Sequence, residues 1–245
     1  MAPKHNTSMT PKQKDVLVLA LLIIALIAIN YGWIDNTLDN FLNTYEQVHV
    51  DRIIDGDTIK SNETSIRLLG INSPERGEYF YEEAKKFLEE LILNQTVNLY
   101  YGKDRYDKYN RTLAYVFLNN TNINLKLVEN GFANYYFYGG KDRYSGALLD
   151  AWQVCLDNNI NLCEKSSDKC AQCVKIKSSD SIINNCGFSC NINNWIIKEE
   201  GRNKFTFNKT LNPNQETGFE LDLTDTSGGL FLKDAAGGLV EWESY

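Results

Sequence analysis

The sequence predicts an α+β domain, preceded by one apolar helix and followed by a small all-β module. Three observations predict it. Apolar runs at Ile53-Ile54, around Ile59 and from Ile66 to Ile71 read as strands. The first two meet at an Asp55-Gly56 turn, the strongest short-range hairpin signal in a sequence. Further on, Phe80, Ala84, Phe87, Leu88 and Leu91 recur at helical spacing, so one face of that helix is built to pack on a sheet. From about Cys170 the texture changes to short alternating runs separated by Gly, Asn and Asp turns, the pattern of a small β-sandwich.

With 245 residues there is room for two compact domains and a tail. Residues 1–15 are polar, carry Lys4, Lys12 and Lys14, and are expected as a cytoplasmic tail. Val16 to Ile29 is an unbroken apolar run that continues less purely through Tyr31, Gly32 and Trp33. Residues 16–33 would reach roughly 27 Å as a helix, enough for a transmembrane anchor. A signal peptide is the rival reading, but no small-x-small cleavage site follows the run. Lysines before the segment and acids after it put the N-terminus in the cytoplasm and the rest outside, on a single-pass cell-membrane protein.

Residues 34–46 are expected as a connector and residues 47–165 as the α+β domain. Within it the helix lies between Glu78 and Leu93, Thr96 to Tyr101 alternates as a strand, and Lys103 to Asn110 is a polar loop. Thr112 to Leu118 returns as a strand, Asn122 to Asn130 is a helix closed by Gly131, and Arg143 to Asp157 is a third helix. In residues 170–245 the strand-like runs are 174–176, 195–198, 204–207, 219–223, 230–232 and 239–242.

A net charge of −7 and a pI near 5.0 argue against tight binding of nucleic acid along an extended basic face. They leave room for a small site that grips one or two phosphates. Asn-x-Ser/Thr triplets at Asn6, Asn62, Asn94, Asn110, Asn119 and Asn208 arise readily by chance in so Asn-rich a chain, and a glycan on Asn110 would crowd Arg111.

The stretch Ile53-Ile54-Asp55-Gly56-Asp57-Thr58-Ile59-Lys60, then Arg67-Leu68-Leu69-Gly70-Ile71-Asn72-Ser73-Pro74-Glu75, gathers carboxylates for a hard cation and a guanidinium for a phosphodiester. Singly, each has a plainer reading: Asp57 as a turn residue, Arg67 on a solvent-facing strand, Glu75 near a helix N-terminus, Arg111 in a basic loop. Together with Asp107-Lys108-Tyr109-Asn110-Arg111-Thr112-Leu113-Ala114-Tyr115 and Leu125, Val128, Gly131 and Ala133, they resemble the staphylococcal-type thermonucleases.

That resemblance implies a five-stranded OB-like barrel with three helices and calcium-dependent hydrolysis of DNA and RNA to 3′-phosphate ends. It implies Glu75 as general base, Arg67 and Arg111 as phosphate clamps, and Tyr109 and Lys108 beside the substrate phosphate. One Ca²⁺ would be held by Asp57, Asn72 and the Ser73 carbonyl. Asn72 departs from the family, which has an acid there, so calcium affinity is expected to fall. The segment Arg76-Gly77-Glu78 is also shorter than the mobile loop the family usually carries. Tyr135 to Tyr138 stand where the family stacks a base, which suggests a preference for single strands. The alternative is a catalytically weak or inactive nuclease-fold protein that only binds.

Trp195 to Lys198, Phe205 to Phe207, Leu211 to Pro213 and Leu230 to Val240 resemble the lamin-tail domain, an immunoglobulin-like sandwich. Within that family it is a binding or scaffolding module, so an unknown protein or envelope ligand is implied. Six cysteines remain: Cys155, Cys163, Cys170, Cys173, Cys186 and Cys190. An even number suggests disulfides, with Cys155–Cys163 plausible across a tight Asn-rich turn. The pairs Cys170/Cys173 and Cys186/Cys190 leave zinc as the other reading.

Overall fold

The computed structural model describes residues 10–30, 45–138, 140–223 and 228–245. The chain divides into two units, Met1–Thr44 and Tyr45–Tyr245. In the first, α1 spans Pro11–Ile29. Thr10 caps it: its hydroxyl accepts from the Gln13 N–H, and its own N–H donates to the Gln13 side chain. Pro11 at the first position needs no partner for the N–H it lacks.

The transmembrane expectation for residues 16–33 requires correction. Among the described residues no helix is long and apolar enough to cross a membrane. Lys12, Lys14 and Asp15 occupy the start of α1, leaving the apolar part from Val16 onward short, and residues 31–33 lie outside the described residues. So does the connector as far as Thr44. No residue of α1 is buried, so its leucines and isoleucines are exposed on every side.

The second unit begins with β1 (Glu46–His49), β2 (Arg52–Asp55), β3 (Thr58–Ser61), β4 (Thr64–Leu68) and β5 (Ile71–Asn72). It continues with α2 (Tyr81–Ile92), β6 (Thr96–Tyr106), β7 (Thr112–Leu118), β8 (Thr121–Asn122), α3 (Ile123–Glu129), β9 (Asn134–Tyr135) and α4 (Ser145–Asn158). The main sheet has seven strands, ordered β1-β6-β7-β4-β3-β2 with β8 added to β7, rather than the five expected. Only β4 and β7 pair in parallel among these neighbours. The polar loop expected at 103–110 is partly strand, since β6 runs on to Tyr106.

Three helices cover this sheet. α2 buries Ala84, Leu88 and Ile92, a stripe at every fourth residue, while its charged face stays in water. α3 contributes Ile123, Leu127 and Val128, and α4 contributes Leu148, Ala151, Trp152 and Cys155. This core also takes in Phe231 and Leu239 from the far end of the chain, with Trp242 packed against it.

The remaining strands are β10 (Val174–Ser178), β11 (Ser181–Asn184), β12 (Cys190–Asn191), β13 (Ile196–Glu199), β14 (Lys204–Thr206), β15 (Thr210–Leu211), β16 (Glu216–Gly218), β17 (Gly229–Lys233) and β18 (Leu239–Ser244). They form sheets ordered β10-β11-β16, β12-β15 and β14-β13-β17-β18. The run expected at 219–223 is not a strand; pairing with β11 uses the preceding residues, 216–218. A second core, built on Trp195, Ile197, Phe207, Leu211, Leu230 and Leu232, fills the module.

All six cysteines are paired, as Cys155–Cys163, Cys170–Cys190 and Cys173–Cys186. The zinc reading is thereby corrected, because a disulfide sulfur has no thiolate to offer a metal. The bridges close a helix end onto the following turn and tie the start of the β-module to β12. In so small a module they supply constraint that a short core cannot.

Candidate active site

The β2–β3 turn is pressed into the protein. A Cβ on Gly56 would come within 2.8 Å of both the Ala84 and Ser73 side chains, so only glycine lets the turn lie there. That approach aims the next residue, Asp57, inward, where it is 5 % exposed. Its Oδ2 accepts the Ser73 N–H at 2.7 Å and pairs with Arg67 Nη2 at 3.0 Å, while Oδ1 accepts the Thr58 hydroxyl at 3.1 Å.

Arg67 on β4 is the cross-strand partner of Thr58, which sets it beside Asp57. Its guanidinium, also buried, donates to the Leu68 carbonyl at 2.9 Å and to Asn72 Oδ1 at 3.2 Å. Burial alone would raise the Asp57 carboxyl, but the Arg67 charge and the Ser73 N–H outweigh it, and the net direction is down. Its neighbour Asp55 goes the other way, pushed up to about 6 by burial and by the Asp57 charge.

Glu75 stands at the rim. Its side chain pairs with Arg202 at 2.6 Å, and both groups are partly exposed. Its backbone N–H donates to Glu78 Oε2 at 3.0 Å. Glu78 is in turn held by Lys204 at 2.8 Å and Lys198 at 3.4 Å. Burial would raise its carboxyl, yet the Lys198 charge, the Lys204 hydrogen bond and the Glu75 N–H hold it down at about 2.

On the neighbouring strand, Leu113 of β7 is the register partner of Arg67, so Arg111, two residues earlier, stands just before β7, one strand over from Arg67. Arg111 makes a two-pronged contact with Asp107 Oδ2, both Nε and Nη2 at 2.7 Å. Asn110 before it adopts φ 62°, a left-handed turn that asparagine tolerates. Tyr109 is 62 % exposed, with Lys108 Nζ 5.1 Å and the Arg111 guanidinium 5.5 Å from its ring centre.

Asp57, Arg67, Asn72 and Ser73 are thus joined directly, with Glu75 two residues beyond and Arg111 one strand over. The aromatic cluster is divided. Tyr135 is buried against Trp152, Phe231 and Trp242, whose Nε1 donates to its hydroxyl at 2.8 Å, so it has no face free for a base. Tyr138, 72 % exposed, is the member open to solvent.

Among the described residues there is no cluster of three or more His, Cys, Asp or Glu that could hold a metal. Asp57 Oδ2 and Asn72 Oδ1, the oxygens a single hard cation would use, are both engaged by Arg67 Nη2, at 3.0 and 3.2 Å, so a cation would share them with the guanidinium or displace it. A carboxylate and an amide oxygen are calcium donors in kind, with a single formal charge between them.

Sequence reasoning missed the contribution of the β13–β14 hairpin. The amide of Asn72 donates to the Gly201 carbonyl at 3.1 Å, Arg202 meets Glu75, and Lys198 and Lys204 meet Glu78. The only local signal was a run of cations around Gly201, between two strand-like segments.

Residues 65–165 match the family model described as staphylococcal nuclease homologue. Over 165 residues the chain is 32 % identical to the thermonuclease of Staphylococcus intermedius, covering 61 % of this chain and 96 % of that protein. It is 36 % identical over 120 residues to the thermonuclease of Staphylococcus hyicus, covering 44 % and 71 % of the two chains. With endonuclease YncB of Bacillus subtilis (strain 168) it shares 32 % identity over 154 residues, 58 % of this chain and 66 % of the other.

Proposed function

The chain belongs to the staphylococcal nuclease family and is a nuclease; on that premise we propose that it hydrolyses DNA and RNA phosphodiesters with one Ca²⁺ and leaves 3′-phosphate ends. The observation that carries the reading is the buried junction of Asp57, Arg67, Asn72 and Ser73, with Glu75 at its rim. A calcium ion held by Asp57, Asn72 and the Ser73 carbonyl would supply positive charge beside the phosphate.

Glu75 accepts a proton from the attacking water. As water oxygen bonds to phosphorus, charge grows on the phosphate oxygens, and the Arg67 guanidinium is the donor suited to receive it. Arg111 stabilises the 5′ oxygen as its bond to phosphorus breaks, leaving the phosphate on the 3′ side. Both arginines carry carboxylate partners, Asp57 and Asp107, which a phosphate would have to displace or share. Exposed Tyr138 offers a face on which an unpaired base stacks, which supports a preference for single strands.

The test is cleavage of denatured DNA and of RNA by the full chain, with Ca²⁺ and then with a chelator, and end analysis of the products. Calcium-dependent cleavage with 3′-phosphate ends is expected. Cleavage undiminished by chelator would overturn the calcium assignment.

The same reading places the nuclease outside the cytoplasm, associated with the cell membrane. Three disulfides support an oxidising compartment. The exposed apolar run of α1 from Val16 onward supports membrane association. Cell fractionation with a thiol-accessibility probe tests both: recovery in a soluble, reduced cytoplasmic fraction would contradict them. A binding role for the β-module rests on its sequence likeness to lamin tails alone.

A further inference from the structure

The turn that carries Glu75 runs from β5 to α2, and the far end of the chain grips it at several points. Arg202 pairs with the Glu75 carboxylate at 2.6 Å. Lys204 and Lys198 hold Glu78, whose carboxylate accepts the Glu75 N–H. The Tyr79 hydroxyl donates to the Ala235 carbonyl at 3.2 Å. Its ring lies on Gly237, where a Cβ would come within 2.5 Å.

The hairpin that presents Arg202 is itself fixed to the nuclease sheet. The Asn134 amide donates to the Glu200 carbonyl at 2.8 Å, and the Phe137 N–H donates to Glu200 Oε2 at 3.1 Å. Asn72 adds a third tie. Its Oδ1 accepts from Arg67 while its Nδ2 donates to the Gly201 carbonyl. An aspartate has no N–H to give that carbonyl, so the amide at position 72 matches the hairpin docked over it.

We infer that the β13–β14 hairpin completes the active site, with Arg202 the positioning residue that holds the Glu75 carboxylate for its work on water. The inference rests on the proposed role of Glu75 as general base. Both partners of the Arg202–Glu75 pair are partly exposed, and such pairs add little to stability. Orientation is the contribution left for it. One carboxylate oxygen is engaged by Arg202, which leaves the other for a water proton.

The test uses the full chain on denatured DNA with Ca²⁺, measuring kcat and KM separately for Arg202→Ala, Arg202→Lys, Glu75→Gln and the Arg202→Ala/Glu75→Gln double variant. Misplacing a reacting group costs on the order of 10–100-fold. Arg202→Ala should lose that much in kcat, with KM and Tm little changed. Arg202→Lys should recover part of it, and the double variant should be no slower than Glu75→Gln. Lys177→Ala, which breaks a surface pair with Glu216 elsewhere on the module, should leave kcat as it was.

If Arg202→Ala matches the wild type while Glu75→Gln is slow, the positioning role is overturned and the base survives. If Arg202→Ala is faster, the contact is a brake and the inference is wrong. Additive losses in the double variant would also overturn it. Should Glu75→Gln itself retain full kcat, the reading of the base falls, and this inference with it.

Discussion

The two sides of the candidate site are built by different means. On the inner side, Asp57, Arg67, Asn72 and Ser73 are nearly dry, drawn from neighbouring strands and locked by hydrogen bonds that the sheet register enforces. On the outer side, Arg202 and Lys204 come from the end of the chain and meet Glu75 and Glu78 from partly open surface, with Lys198 more sheltered behind them. Losing a partner on the inner side strands a buried charge. Losing Arg202 on the outer side returns the Glu75 charge to partly open water. The same salt-bridge chemistry therefore serves folding in one place and orientation in the other.

Arg67→Ala should give the largest effect. It leaves the Asp57 carboxylate buried without its cation, a defect worth about 3–5 kcal/mol. Urea denaturation should show that loss together with collapse of turnover. If stability instead stays within the small range of a surface pair, the inner side is wetter than its burial implies.

The Glu78 contact sits between the two extremes and can be read by pH. Its carboxyl is held at about 2 against an ordinary 4.5, so its contribution is fully present above pH 4.5 and is lost as pH falls toward 2. The groups facing it are Lys198, Lys204 and Lys233, with Arg202 acting through Glu75. The shift bounds the effect at about 3 kcal/mol, less after solvent screening. Glu78→Gln should flatten the acid limb of denaturant midpoint against pH. An unchanged limb would mean the lysines do not hold it.

Asn72→Asp comes next, at about 1–3 kcal/mol, because a carboxylate oxygen would face the Gly201 carbonyl without a proton between them. Melting in chelator should fall by that amount. Calcium should restore part of it, since the second charge strengthens an oxygen-ligand site. A variant as stable as the wild type in chelator would show that the hairpin does not depend on the amide.

Much of the inner side was legible because its causes are local. The Asp55-Gly56 turn, the period-two runs and the Leu-Leu-Gly-Ile-Asn-Ser-Pro segment each state their own geometry, and Gly56 proves to be needed where it stands. Helices α2, α3 and α4 fall close to their apolar periodicity. The outer side was not legible, because nothing near Gly201 in the sequence says which distant turn it will meet. Strand ends failed for a related reason: β6 outlasts its alternation since β7 pairs with it as far as Tyr106, and β16 falls before the apolar run at 219–223 because β11 pairs there. For the expected membrane span, no described helix is long and apolar enough to cross: Lys12, Lys14 and Asp15 take up the start of α1, and residues 31–33 lie outside the described residues.

The most direct test of the account is the kcat of Glu75→Gln beside the wild type on denatured DNA with Ca²⁺. A positioned acid–base group contributes on the order of 10²–10⁴-fold, and the amide should forfeit that factor while the protein stays folded. A variant that cleaves as fast as the wild type would contradict the assignment of Glu75 as the base on which both sides of the site converge.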